Sequence, residues 1–259
     1  MEAKRILVTS GAGGVGKSSV AAHLASALAA GGKRVLLADL CTTGRSLDLL
    51  TSLSSSLLYD LGDLLCSRTD PSRILLPVEA HPGLFLLPGA FRLEHAPTLV
   101  ELVRALRLAE ESIKADYTVF DASLDGLAHL AASVSDMTLL VSDTSPTSLR
   151  ATAEAALTLP RDREARMILN RFPIYPDFKT KIPPVKPYLD EIRLPLFGIL
   201  PDSLTLAERE AKGDGVSLWR ENLGVAYASL AKRIEGKNAP LFIGWKKIKR
   251  RRLIRSLIG

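Results

Sequence analysis

Cysteine is scarce in this chain, and its scarcity removes whole classes of protein. Cys41 and Cys66 are the only two among 259 residues, too few for the disulfide framework of a small secreted domain. No Cys-x-x-Cys pair is present to hold a metal or cluster. No stretch approaches the ~18 consecutive apolar residues that a membrane-spanning helix requires. The apolar run Arg5-Ile6-Leu7-Val8 starts too early to leave room for a cleaved leader. Secreted, disulfide-rich and integral-membrane classes are set aside, and the expectation is a cytoplasmic protein. What remains has ordinary globular values, with 47% hydrophobic and 24% charged residues. At ~100–200 residues per domain the length fits one large domain or two small ones. No internal repeat or long low-complexity tract is visible.

Positive charge is concentrated at one end. Residues 241–259 hold seven basic residues and no acidic one. Taking those seven from the net charge of +6 leaves −1 for residues 1–240. The body is therefore near neutral, and such a sign asymmetry marks the tail as an interaction segment. Along the body, short apolar runs at 5–9, 34–38, 84–87, 117–120, 137–141, 166–169 and 196–200 read as strands. Several are apolar throughout, as expected for strands covered on both faces. Helical stretches such as 18–30, 97–113, 148–157 and 206–212 lie between them, with Gly31-Gly32 as a stop for the first. This alternation predicts an α/β fold, a doubly wound, mostly parallel sheet flanked by helices. Ile182-Pro183-Pro184 with Pro187 reads as a stiff loop.

The strongest chemical signal is Gly11-Ala12-Gly13-Gly14-Val15-Gly16-Lys17-Ser18, which matches G-x-x-x-x-G-K-[ST] between an expected strand and an expected helix. Glycines let the backbone curl around phosphates with its N–H groups inward, and the following helix points its positive end there. Lys17 would reach the outer phosphates, and the Ser18 hydroxyl would ligate Mg²⁺. Two carboxylates end strands that open on the same edge of the sheet. Asp121 is placed as a water-mediated Mg²⁺ partner, and Asp39 to position or polarise an attacking water. Each has a plainer alternative, a solvated residue at a strand end. Cys41 reads as a small, part-buried residue rather than a nucleophile, and His23 as structural. His81, His95 and His129 lack metal-ligand spacing.

These residues carry a family resemblance. Gly13-Gly14-Val15-Gly16-Lys17-Ser18-Ser19 resembles the deviant phosphate loop of the MinD/ParA ATPases, P-loop NTPases of the SIMIBI class. Residues 39–48 with Arg45-Ser46-Leu47-Asp48, then Tyr59-Asp60-Leu61-Gly62-Asp63 and Leu86-Leu87-Pro88-Gly89, follow in the family's order. So do residues 116–121, Ser148-Leu149-Arg150, Asn170-Arg171 and Gly198-Ile199-Leu200-Pro201. The likeness covers essentially the whole chain, and the basic tail resembles the MinD branch more than the DNA-partitioning one. It implies binding of ATP or ADP with Mg²⁺ by Gly11, Gly13, Gly14, Val15, Gly16, Lys17, Ser18, Ser19, Asn170, Arg171 and Pro201, with Asn170 hydrogen-bonding the adenine base. It implies Ser18, Asp39 and Asp121 as the metal set, and Lys17 and Asp39 as the catalytic pair. It also implies an ATP-dependent homodimer, a protein partner of the Min or polarity type, and a role in placing the division septum.

The departures from that pattern are local. The family's signature lysine before the glycine pair is Ala12, and the usual Asp-x-Asp reads Asp39-Leu40-Cys41. After Asp121 no proline follows, and Gly126 comes one position late. Ala151 stands where an acidic residue lies on the MinD partner-binding helix. These changes predict nucleotide binding with weak or absent hydrolysis.

In the tail, Leu253, Ile254, Leu257 and Ile258 share one helical face, with Arg252 and Arg255 opposite. Leu241, Phe242, Trp245 and Ile248 form a second face out of phase with the first. Two short amphipathic pieces of this kind suit the interface of an anionic membrane. The expected organisation is a P-loop domain over 1–240 and a membrane-targeting tail over 241–259, peripheral to the inner face of the cell membrane. Two other readings stay open: a nucleotide-bound scaffold for flagellar or pilus placement, and a ParA-like DNA-positioning ATPase. The near-neutral body disfavours nucleic acid as a partner.

Overall fold

Side chains along a strand point alternately to opposite faces, and the first strand shows what covers each face. In the computed structural model, which describes residues 2–173, 186–211 and 222–241, β1 (Lys4–Thr9) sends Ile6 and Val8 into one apolar cluster and Leu7 into another. β2 (Val35–Asp39) does the same, with Val35 and Leu37 on one side and Leu36 and Ala38 on the other. The central residues of both strands, Ile6–Val8 and Val35–Ala38, are apolar because neither has a wet face.

The first cluster is closed by α1 (Lys17–Ala30), which follows β1 directly. Its sequence KSSVAAHLASALAA is buried from Ser19 to Ala29, and small alanines let it lie close to its neighbours. After β2 come three short helices, α2 (Leu47–Leu50), α3 (Leu61–Leu65) and α4 (Pro71–Ile74). The edge strand β3 (Leu76–Pro77) and its neighbour β4 (Leu84–Leu87) precede α5 (Leu99–Ile113), and β5 (Tyr117–Asp121) returns to the centre of the sheet. The chain continues through α6 (Gly126–Val134), β6 (Met137–Ser142), α7 (Pro146–Thr158) and β7 (Glu164–Phe172). It then passes through α8 (Lys186–Ile192), β8 (Leu196–Pro201), α9 (Leu204–Ala211) and α10 (Asn222–Ile234).

Among the described residues the strands form one sheet in the order β3-β4-β2-β5-β1-β6-β7-β8, parallel except for the β3–β4 pair. α1 and α10 cover one face; α3, α5 and α6 cover the other. This is the doubly wound α/β architecture that the alternation of runs predicts. α5 begins at Leu99 rather than at residue 97, because Thr98 caps it and reciprocates with Glu101 in a capping box. Pro187 falls inside the first turn of α8 rather than in a loop, a position where the missing N–H needs no partner. Residues 182–184 lie outside the described residues. β3 was not among the expected strands, since two residues carry no period.

The far end of the sheet from the glycine-rich turn is held by a buried ion pair. Arg5 Nε and Nη2 donate to Glu110 Oε1 and Oε2 at 2.9 and 2.7 Å, and Thr118 Oγ1 donates to Oε1 at 2.7 Å. The fork engages both carboxylate oxygens, and the hydrogen bond to Glu110 raises the Arg5 pKa above its ordinary value. Removing one partner strands the other in the interior. Glu110→Ala should lower stability by ~3–5 kcal/mol in urea unfolding, and Arg5→Met with Glu110→Leu should recover most of that loss.

Candidate nucleotide-binding site

The glycine-rich turn leaves β1 at Thr9 and enters α1 at Lys17. Two of its glycines are fixed by what lies against them. A Cβ on Gly11 would meet the Ala151 carbonyl oxygen of α7 at 2.0 Å, so the turn and that helix touch through backbone alone. Gly16 has φ +86°, and a Cβ there would lie 2.5 Å from Asn170 Nδ2. That same Nδ2 donates to the Val15 carbonyl at 2.8 Å, so Asn170 at the end of β7 braces the turn from behind.

Beneath the turn lies the charge cluster of the site. The parallel register sets Asp39 of β2 beside Asp121 of β5, with 1% and 0% exposure respectively. Lys17 Nζ donates to Asp121 Oδ1 at 2.6 Å and lies 3.2 Å from Cys41 Sγ and 3.4 Å from Ser18 Oγ. Burial opposes the charge on Lys17, but Asp121 and Cys41 outweigh it and raise its pKa above the usual lysine value. Asp39 Oδ1 accepts from Cys41 N at 2.9 Å. Asp121 Oδ2 is buried without a hydrogen-bond partner. Burial, then the Asp121 charge, pushes Asp39 from 3.8 up to about 6. Burial, then the two carboxylates, pushes the Cys41 thiol up to about 11. The thiol is therefore protonated at neutral pH, which agrees with its reading as a packed residue and not a nucleophile.

The loops after β2 and β5 are tied to each other over this cluster. Ser123 Oγ donates to Cys41 Sγ at 3.6 Å, and Thr42 Oγ1 donates to Asp125 Oδ2 at 2.8 Å. The other oxygen of Asp125 caps α6 at the Ala128 N–H. Arg45 Nη1 donates to the Gly89 carbonyl at 2.7 Å, and its guanidinium lies over the Phe91 ring. Above them opens a cleft of about 710 Å³ lined by Gly11, Gly13, Gly14, Gly16, Lys17, Ser18 and Ser19, with Leu49 and Leu50 of α2, Ser123, Arg171 and Glu210.

The structure thus brings together the glycines, Lys17, Ser18, Ser19, Asp39, Asp121 and Arg171. Val15 is buried and offers only its backbone, and Asn170 is turned onto the loop rather than into the cleft. Pro201 is the buried last residue of β8 and does not line the cleft. Phe242, Trp245, Ile248, Leu253, Ile254, Leu257 and Ile258 lie outside the described residues. Glu210 was missed by sequence reasoning. It accepts from Ser19 Oγ across the cleft wall, and no local pattern in α9 distinguishes it from a solvated acid. His23, read as structural, is buried and stacked on Tyr227 with ring centroids 5.1 Å apart.

Residues 6–216 match the model of the CobQ/CobB/MinD/ParA nucleotide binding domain. The chain belongs to that family. Septum site-determining protein MinD of Synechocystis sp. is 29% identical over 98% of this chain and 98% of its own. Among solved structures, the MinC:MinD cell division protein complex of Aquifex aeolicus superposes with a TM-score of 0.79 at 26% identity. It covers 92% of this chain and 98% of that one. The MinD of Pyrococcus horikoshii complexed with Mg-ADP shares the fold, with a TM-score of 0.71 at 23% identity over 90% and 96% of the two chains. The family is one of nucleotide-binding domains, and the matched residues include the glycine-rich turn described here.

A carboxylate whose folded-state pKa is raised stabilises the fold below its unfolded value and loses that contribution as pH climbs through the folded value. For Asp39 the window runs from 3.8 to about 6. Asp39→Asn should flatten the fall in stability across that window. At neutral pH it should make the nucleotide-free protein more stable by up to ~3 kcal/mol, read by urea unfolding at a series of pH values.

Proposed function

We propose that this chain is a MinD-like nucleotide-binding protein that takes ATP or ADP with Mg²⁺ over its phosphate loop. It attaches peripherally to the inner face of the cell membrane through residues 241–259. There it positions partner proteins at a division site or pole, with very slow or absent ATP hydrolysis. The observation that carries this reading is Lys17 held 2.6 Å from Asp121 Oδ1 at the head of a glycine-built loop.

The donor set suits a divalent cation beside phosphates. Ser18 and Asp121 offer hard oxygens, Asp121 Oδ2 is buried without a partner, and Asp39 is the adjacent carboxylate. When bound, Mg²⁺ would neutralise charge on the phosphates. Loop N–H groups and the start of α1 would cradle those phosphates, with Lys17 exchanging Asp121 for them. Arg171 lines the same cleft beside Gly16, where it would meet the nucleotide, with Asn170 bracing the loop and Pro201 ending β8.

Slow turnover is supported by two substitutions in one place. Ala12 offers a methyl group where the family's lysine brings charge. Cys41 is a thiol raised to about 11 where a second carboxylate is usual. Removing one transition-state donor from such a site typically costs ~10²–10³ in rate. Relatives named MinD along nearly the full length of the chain support the division-site role, and the MinC:MinD neighbour supports a protein partner. Leu241, whose carbonyl accepts from Ile199 N at 3.2 Å, is still held on β8, so the proposed tail leaves the domain just after it. Among the described residues no helix is long and apolar enough to cross a membrane.

Co-sedimentation with anionic vesicles in ATP, ADP or neither, with a 1–240 truncation as control, tests the membrane claim. Pelleting of the full chain with ATP and not of the truncation is the expected result. Pelleting in all three states would make the chain an anchored scaffold, and binding that survives truncation would dismiss the tail. For hydrolysis, Ala12→Lys with Cys41→Asp should raise turnover at saturating Mg-ATP by at least ~10²-fold. Equal rates would show that these two positions do not limit it.

A further inference from the structure

One carboxylate in the cleft takes no part in the metal and phosphate contacts set out above. Glu210 lines the cleft from α9, and the packing of that helix puts it there. Ser203 Oγ accepts from Leu206 N at 3.2 Å, as a helix N-cap does. Leu206 packs against the apolar cluster that α1 closes, and Glu210 follows one turn later on the same face. Its Oε1 accepts from the Ser19 hydroxyl in the first turn of α1. Ser19 is also in hydrogen-bond contact with Tyr227, which is buried in α10. The carboxylate is therefore held at a set place on the wall, while Glu208 of the same helix is exposed.

What such a group can recognise follows from its chemistry and from its place along the ligand. An ionised carboxylate only accepts hydrogen bonds, so a phosphate, itself an acceptor, is a repelled neighbour and not a partner. Ser19 directly follows Lys17 and Ser18, the residues assigned to the phosphates and Mg²⁺. Along a nucleotide the group after the phosphates is the sugar, and the base lies one ring farther away. A ribose carries two adjacent hydroxyls, each a donor, and a carboxylate has two acceptor oxygens to meet them. Dinucleotide-binding folds read a ribose through the same pairing.

We propose that Glu210 is the specificity-determining residue for the sugar. It accepts hydrogen bonds from the ribose hydroxyls of the bound nucleotide, so the site selects ligands that carry them. The Ser19 hydroxyl holds the carboxylate in place until the sugar arrives. The inference rests on the nucleotide-binding reading above, because it assigns the sugar end of that same ligand.

Calorimetric titration of the full chain with ADP and with 2′,3′-dideoxy-ADP, each with Mg²⁺, tests it. The native chain should bind ADP at least ~10-fold more tightly than the dideoxy analogue, the size expected for hydrogen bonds to a carboxylate. Glu210→Ala should weaken ADP by at least ~10-fold, leave the analogue within ~3-fold and bring the ratio of the two affinities close to one. Glu210→Gln keeps the shape of the side chain and one acceptor oxygen, and should give a ratio of ~3. A Glu210 that only braces the cleft wall would lower both affinities together in Glu210→Ala and keep the ratio, which overturns the inference. Equal binding of the two nucleotides by the native chain overturns it as well. So does tighter ADP binding by Glu210→Ala, since the carboxylate would then be opposing the phosphates. In each of these outcomes ADP still binds and the nucleotide reading stands. Failure of the native chain to bind ADP overturns both readings together.

Discussion

A parallel sheet places the ends of neighbouring strands side by side, and here two of those ends are aspartates facing each other in the interior. Asp39 and Asp121 are register partners with almost no exposure, and like charges so placed resist joint ionisation. Lys17 resolves the conflict by inserting its ammonium beside Asp121. The consequences extend outward from that contact. Lys17 is the first residue of α1, so holding its ammonium fixes where the helix starts and how the glycine turn must fold to reach it. The turn, in turn, needs Gly11 to pass Ala151 and Gly16 to pass Asn170. The course of the glycine-rich turn follows from where one positive charge has to sit.

The same cluster binds the neighbouring loops into one unit. Cys41 receives the Ser123 hydroxyl, and Thr42 reaches the carboxylate that caps α6. A change at Lys17 is thus felt by the loop after β2 and the loop after β5 together. This bears on the two departures from the family pattern. Losing a lysine at position 12 and a carboxylate at position 41 removes one positive and one negative group from the same end of the sheet. The electrostatic balance around the phosphates shifts less than either loss alone would cause, while the groups that assist hydrolysis are absent. Retained binding with impaired turnover is what the proposed function expects of that pairing.

Legibility from sequence tracks how local each cause is. The central strands were readable because burial on both faces makes them apolar throughout, and the phosphate loop because its glycines, lysine and serine are contiguous. Asp39 and Asp121 were readable because each ends such a strand. β3 was not, because two residues at a sheet edge have no period, and α2 to α4 were not, because four- and five-residue helices carry too few turns to show a face. At the site, the failures were of orientation and distance. Nothing in Asn170-Arg171 says that the first side chain turns back to the loop while the second lines the cleft. Nothing in α9 says that Glu210 will meet Ser19, since that meeting depends on how α9 packs beside α1. The place of Cys41 in the charge cluster was likewise invisible, although its departure from Asp-x-Asp was the signal that could have raised the question.

The face of the sheet that carries α1 also carries α10, the last helix before the basic tail. Ser19, in the first turn of α1, donates to Glu210 of α9, and His23 on the next turn donates from Nδ1 to the Ser19 carbonyl and stacks on Tyr227 of α10. Burial and the charge of Glu210 raise the Tyr227 pKa far above its ordinary value, so this ring remains a neutral, packed element of the interface. Contacts from the phosphate loop to the C-terminal helix are therefore continuous. Continuity alone does not transmit a signal; a group with two discrete arrangements is needed. Under the proposed function Lys17 is such a group: its ammonium sits on Asp121, and phosphates would take that place once nucleotide binds. Its departure alters the start of α1, and α1 is the helix against which α10 packs. In the proposed function, an effect of nucleotide on α10 would begin with that exchange of partners.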